Sequence, residues 1–505
     1  AHEFGHMVED RMIGKGNRRS GFHAGAMGES VTDLMAMEYL NEYSFVTGGV
    51  ERYAVGAYVT GNPVEAIRNY NMSWQSAGRF PQEARDHDTN PLNFSGIGYD
   101  IVGPQVHATG EIWSATNFDL RSLLNQRYGS GNPNVQRQCA DGELPATSCP
   151  GNRRWIQLMF DSFLLQPIAP TMLDARDAML ATDVMRFGGA NQDLLWLGFA
   201  RRGFGSAASV VSENDVLPVP SWESPHHDEA TLTFEAFAKD EGGAAITDFD
   251  VFVGDYEARS VPIDTSEAFV PGPQRGYNFV AVAPGYGHVR FAVRNLLPNE
   301  SRTISIHFPT NWASQSKGAT ASGDGANFGD LIDDAEGTTW ESTSGAVEGK
   351  QVVIALDGEQ SFDLAKASAL LEPGQNRFTA LRQFELQTCT AGGPENPSCD
   401  GSVSEGWTSV LVSDSAAFPG INPRPVGPEL QLRAFDVDGS ASATHVKFIV
   451  LNNQCTGQPS FQGEQDQDPG NATDCRGTVV AEQVRAAELQ LLSSEAAVDG
   501  AYMAE

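Results

Sequence analysis

The sequence predicts a multidomain chain, with a mainly α-helical region over residues 1–211, two β-sandwich regions over 212–309 and 310–494, and a tail over 495–505. Three observations carry this. At 505 residues the chain exceeds what one hydrophobic core holds and suggests about three domains. Apolar residues such as Val31, Leu34, Met35, Met37 and Leu40 follow a helical face in the first part. From Ser212 onward the pattern changes to short alternating runs separated by Gly, Pro, Asn and Asp turns.

The first element is the helix that opens the chain, Ala1-His-Glu-Phe-Gly-His6, which reads as HExxH. Residues four apart share one face of a helix, so His2 and His6 can aim their imidazoles at one metal ion with Glu3 beside it. Five residues can also place two histidines on a surface helix by chance. After a Gly-rich connection from Gly14 to Gly28, a second helix is expected from Glu29, with Glu29 and Asp33 on one face. Catalytic zinc takes three protein ligands and keeps a position for water, and two His with one Glu is such a set. His2, His6 and Glu29 are therefore the expected Zn2+ ligands. Asp33, one turn beyond Glu29, is the expected carboxylate partner of His2, because a ligating histidine usually gives its second ring N–H to such a group. Acidic residues at a helix start are also favoured by the helix dipole alone.

HEFGH followed by GAMGESVTD resembles the fungalysin-type metallopeptidases, relatives of the thermolysin-like gluzincins, whose pattern is HExxH and then GxMGEGWSD. Val106-His-Ala-Thr-Gly-Glu-Ile-Trp113 is similar to the family's VHxxGExW stretch, and Leu173-Asp-Ala-Arg-Asp-Ala-Met-Leu180 to its late ARDAI helix. Phe187-Gly-Gly-Ala-Asn191, Leu195-Trp-Leu-Gly-Phe-Ala200 and Arg202-Gly-Phe-Gly205 resemble its closing YGGAN, LLWxAFA and RGLG pieces. The likeness covers about residues 1–210. It departs at GESVTD, which keeps Glu29 and Asp33 but replaces the Gly and Trp between them. The resemblance implies the helical C-terminal lobe of a gluzincin, a zinc endopeptidase activity on protein or peptide substrates, and Glu3 as general base. It places on His107 the donor to the tetrahedral oxyanion; capping of a helix from Gly110 to Leu123 is the alternative. Tyr99 and Asp100 are weaker candidates for the same site. Glu111, Asp174, Arg176 and Asp177 read as structural, the last three as an internal ion-pair network. A family member carries a pro-region and a strand-rich lobe before the zinc helix, so the chain is expected to be the C-terminal part of a zymogen. Without the lobe that holds substrate, an inert fragment is one reading of it.

The chain carries 33 basic against 65 acidic residues, a net charge of −32, which repels phosphate backbones and argues against nucleic-acid binding. No apolar run approaches the roughly 18 residues of a membrane span. Six cysteines fall into three local pairs, Cys139 with Cys149, Cys389 with Cys399 and Cys455 with Cys475, each bracketing a polar loop. Disulfides are the natural reading, and with them an extracellular location.

In the second region, the runs Ala230 to Ala238, Phe249 to Val253, Tyr277 to Ala283, His288 to Val293 and Thr303 to Phe308 predict a sandwich of Ig-like or fibronectin-like kind. His226-His227-Asp228 reads as a solvated loop rather than a metal site. In the third region, Asn311-Trp-Ala-Ser314, Leu331-Ile-Asp-Asp334, Thr338-Thr-Trp-Glu341 and Lys350 to Asp357 resemble the opening of discoidin-like jelly rolls, and Val484 to Leu491 their last strand. That likeness implies an appended module for glycans or cell-surface polymers. Glu464 to Asp474, with Asp466, Asp468 and Asp474, has the oxygen-rich character of a Ca2+ loop without EF-hand spacing, and a solvated acidic loop is the better reading. The residues after Ser494 read as a frayed tail. The leading expectation is a secreted zinc endopeptidase; the alternative is a secreted adhesin or glycan-binding protein on a non-catalytic peptidase-like scaffold.

Overall fold

The structure, a computed structural model, describes all residues except 17–19, 43–53, 57–66, 73–89, 272–275, 421–423, 462–474, 476–477 and 504–505. The acidic stretch Glu464 to Asp474, read as a Ca2+ loop candidate, lies outside the described residues.

The first region packs α1 (His2–Met12), α2 (Phe22–Glu42), α3 (Val106–Tyr128), α4 (Pro133–Ala140), α5 (Gly151–Phe163), α6 (Met172–Phe187) and α7 (Gln192–Arg201) around one core that includes Met27, Val31, Ile112, Trp113, Trp155 and Phe199. α3 is its axis, buried from Ala108 to Arg121. The second helix begins at Phe22, seven residues before its expected start. The glycines that suggested a connection serve a helix crossing instead. A Cβ on Gly110 would lie 2.6 Å from the Ala26 carbonyl oxygen, and one on Gly25 would lie 2.9 Å from Val106. Asp174, expected in an ion-pair network, caps α6 through a reciprocal box with Thr171. Arg176 binds the carbonyls of Phe204 and Gly205 as well as Asp177. A disulfide joins Cys139 in α4 to Cys149, just before α5.

The second region is two sheets facing one core. β1 (Ala230–Ala238) pairs with β2 (Ala244–Ile246), β4 (Ser266–Phe269) and, in parallel, β7 (Ser301–Phe308), while β3 (Asp250–Val253), β5 (Tyr277–Val282) and β6 (Val289–Val293) form the other sheet. Alternation along β1 buries Leu232, Phe234 and Ala236 against Phe279 and Phe291.

The third region is built on two long antiparallel strands, β10 (Gln351–Ser368) and β13 (Arg433–Asn453), flanked by β8 (Thr320–Gly323), β11 (Leu381–Cys389), β12 (Thr408–Val412) and β15 (Glu488–Leu492). β9 (Trp340–Glu341) pairs separately with β14 (Arg485–Ala486). Register shifts between Ala355 and Gln360, and again between Phe362 and Leu364, bend the long ladder so that β8 pairs with its first half and β15 with its second. A second disulfide joins Cys389 to Cys399. Cys455 and Cys475 share one buried cluster with Phe378 and Phe461, the Cys455 Sγ standing 3.8 Å from the Cys475 carbonyl oxygen.

The expected tail is a correction. β16 (Ala497–Asp499) pairs with β7 and β17 (Tyr502–Met503) with β6, so the chain returns to add one strand to each sheet of the second region. Ala496, Val498 and Ala501 pack on that core. Runs of two or three residues are too short to show alternation, and their strand character comes from the edges they cover.

The β regions also grip the first. The hydroxyls of Tyr70 and Tyr256 are 2.7 Å apart, and Arg424 donates to the Ile67 carbonyl at 3.1 Å. Both contacts flank Arg68. No described helix is long and apolar enough to cross a membrane.

Candidate metal centre

α1 lies against α2 closely enough to need glycine at the contact. A Cβ on Gly5 would meet Thr32 Cγ2 at 2.8 Å and Thr32 Cα at 3.2 Å. This approach brings His2 and His6, one turn apart on α1, over Glu29 on α2. The His6 Nε2 to Glu29 Oε1 and His2 Nε2 to Glu29 Oε2 separations are both 3.5 Å. The two imidazole rings stand nearly perpendicular, 4.9 Å between centroids. Among the described residues these three side chains offer donor atoms within 4.8 Å of one another.

Tetrahedral zinc with bonds of about 2.0–2.1 Å spaces its ligand atoms by about 3.4 Å. The donor set therefore fits zinc, and both His–Glu29 separations match this spacing. The tautomer fits too. Asp33 Oδ1 accepts from His2 Nδ1 at 2.8 Å, which leaves the Nε2 lone pair facing Glu29. That hydrogen bond raises the His2 pKa above its ordinary value, against burial, which lowers it.

Sequence reasoning missed Arg68. Its Nε donates to Asp33 Oδ2 at 2.7 Å and its Nη2 to Glu29 Oε2 at 3.2 Å, so one guanidinium fixes both carboxylates from behind. Arg68 sits in a short non-helical segment with no periodic signal, and only its proximity in space ties it to Asp33. Glu111 holds that segment, accepting from the backbone N–H of Asn69 at 3.0 Å and of Tyr70 at 2.8 Å. Burial lifts the Glu111 carboxyl to about 7, against those two N–H groups, which lower it. Tyr99, a weaker candidate from sequence, is buried with its hydroxyl taken by Asn69 Nδ2 at 2.9 Å, and supports the same segment.

His107 stands in the first turn of α3, its side chain half exposed, with Nε2 3.3 Å from Glu29 Oε2. The cap of α3 is Gln105, whose side-chain oxygen accepts from the N–H of His107 and Ala108. The Gln105 amide nitrogen meets His107 Nδ1 and can only donate, so the ring proton resides on Nε2, toward the site. Burial lowers the His107 pKa, more than Glu29 raises it. Glu3 is exposed on α1, next to His2. His227 Nε2 lies 2.8 Å from the Asp193 carbonyl, and Asp228 accepts from Asn299.

The profile of the fungalysin metallopeptidase family (M36) matches residues 1–208. Residues 1–208 are therefore similar to the fungalysin family. Extracellular metalloproteinase 4 of Arthroderma otae is 31% identical over 220 residues, 43% of this chain and 30% of that protein. Extracellular metalloproteinase MEP of Fusarium vanettenii is 30% identical over 226 residues, 44% of this chain and 32% of that protein. The chain thus spans about a third of the length of these relatives. For the C-terminal part, a chitosan-binding module from a Paenibacillus chitosanase/glucanase, in complex with chitotriose, aligns over 36% of this chain and 99% of that module. Its identity is 14% and its TM-score 0.23, too low to bear on function.

Proposed function

We propose that the chain is the zinc-binding part of a secreted fungalysin-type endopeptidase that hydrolyses peptide bonds in protein substrates. The observation carrying this is the His2, His6 and Glu29 donor set at zinc spacing, with His2 oriented by Asp33. Zinc held there supplies Lewis-acid polarisation of the scissile carbonyl and lowers the pKa of water toward about 7. Glu3 takes the proton of the attacking water and returns it to the leaving amine, a general acid–base contribution of typically about 10²- to 10⁴-fold. His107 presents Nε2–H to the oxygen on which charge develops. Asp33 and Arg68 keep His2 and Glu29 in place. Two disulfides in the structure and the extracellular relatives support secretion. A third bridge between Cys455 and Cys475 belongs to the same proposal.

Residues 1–211 form the peptidase lobe in this reading, 212–309 an Ig- or fibronectin-like sandwich and 310–494 a discoidin-like module that holds glycans or cell-surface polymers near the cleavage site. Its test is casein hydrolysis by the secreted full-length protein, before and after chelation. Loss of hydrolysis with chelator and recovery with zinc is expected. Hydrolysis insensitive to chelator, or none in a zinc-loaded protein that still binds glycan, would favour the adhesin reading instead.

A further inference from the structure

A second cluster of donors lies far along the chain, where the two β regions meet. Glu257 follows β3, His288 precedes β6, and Glu336 sits in the loop before β9. One ligand atom from each lies within 4.8 Å of the others. No motif links these residues.

His288 carries the argument. It is 1% exposed, and its Nε2 lies 2.9 Å from the Asp334 carbonyl oxygen. A carbonyl only accepts, so Nε2 holds the proton and Nδ1 is left with a bare lone pair. That Nδ1 is buried and has no hydrogen-bond partner. A buried acceptor left unpaired costs about 1–3 kcal/mol, and such atoms in native proteins ask for an explanation. A ring whose one N–H is fixed by a backbone carbonyl while its other nitrogen is left bare beside two carboxylate residues is the arrangement of a metal-ligating histidine.

The carboxylates point the same way. Glu336 is almost fully buried and accepts from Ser368 Oγ at 2.7 Å, Leu432 N at 2.6 Å and Arg290 Nη2 at 2.9 Å. A carboxylate offers about four lone-pair sites, which leaves one for a further partner. Glu257 accepts from the Glu336 backbone N–H. Burial lifts Glu257 to about 7, and the charge of Glu336 adds to the rise. Arg290 acts on Glu257 and Glu336, Lys366 acts on Glu336, and the acid Asp333 stands near Glu257.

We propose that Glu257, His288 and Glu336 bind a divalent transition-metal ion, with Zn2+ as the reference cation, that staples the second and third regions together. One imidazole with two carboxylates suits a first-row divalent ion better than the all-oxygen sets taken by Ca2+ or Mg2+. The ion would satisfy Nδ1 and neutralise the paired carboxylates together. Its ligands share nothing with the His2 centre, and its role is structural.

The test uses the full chain with His2→Ala and His6→Ala, which removes the first centre. After equilibration with micromolar zinc and desalting, about one zinc per chain is expected by elemental analysis, with a melting temperature that falls on chelation. Adding Glu257→Gln, an isosteric change at a half-buried position, is expected to weaken zinc at least tenfold; His288→Gln should abolish retention where circular dichroism shows the chain still folded. Absence of retained zinc in the His2/His6 variant, or unchanged retention in Glu257→Gln, would overturn the proposal.

Discussion

Gly5→Ala tests how the first centre is assembled. The added methyl would sit 2.8 Å from Thr32 Cγ2 and 3.2 Å from Thr32 Cα, where ordinary carbon contacts begin near 3.5 Å. Thr32 cannot swing away, because its Oγ1 is held by the carbonyls of Gly28 and Glu29 at 2.9 Å each. Restoring contact therefore moves α1 from α2 by about 0.7 Å. Metal–ligand distances tolerate only about 0.2 Å. The His2 and His6 nitrogens, carried on α1, then leave Glu29 on α2 out of reach of a common ion. Stability should change little, since about 1 kcal/mol of helix propensity gained offsets part of the roughly 1–3 kcal/mol of overpacking. Zinc affinity should fall at least tenfold, or about 1.4 kcal/mol. Competition with a chromophoric chelator measures it, with Phe4→Ala on the exposed face of α1 as the control that leaves affinity unchanged. Zinc binding by Gly5→Ala within twofold of the parent would refute the idea that the α1–α2 contact sets the site.

Asp33→Asn retains one acceptor where two cationic or N–H donors converge, so zinc affinity or activity should drop about 10- to 100-fold; the same chelator competition reads this. Glu111 gives the first region a pH dependence. Its folded pKa, about 7, stands above the ordinary 4.5, so its contribution is fully present below pH 4.5 and lost as pH rises toward 7. The loss is up to about 3 kcal/mol. Urea midpoints of metal-free protein between pH 4.5 and 7.5 should show that decline, and Glu111→Gln should flatten it.

How much of this was legible follows from where the information lies. His2, His6, Glu29 and Asp33 can be read because helical spacing dictates which residues share a face, and each pair lies on one helix. Arg68 cannot, since it reaches the site through a non-helical segment held by Glu111, Tyr256 and Arg424 from elsewhere in the chain. The start of α2 differs from the expected one because Gly25 marks a helix crossing, and glycine in a sequence does not say whether it turns or lets a neighbour close in. The C-terminal strands escape the sequence for a related reason. Ala497–Asp499 is a strand only because β7 leaves an edge for it. Glu257, His288 and Glu336 belong to different loops of different regions, and nothing in their spacing joins them.

The central claim is that Glu3 performs acid–base chemistry beside a zinc held by His2, His6 and Glu29. The most direct measurement is the rate of peptide hydrolysis by the Glu3→Gln variant of the full-length protein at full zinc occupancy. Parent-like zinc content with a rate lowered about 10²- to 10⁴-fold is expected. Hydrolysis at the parent rate would contradict it.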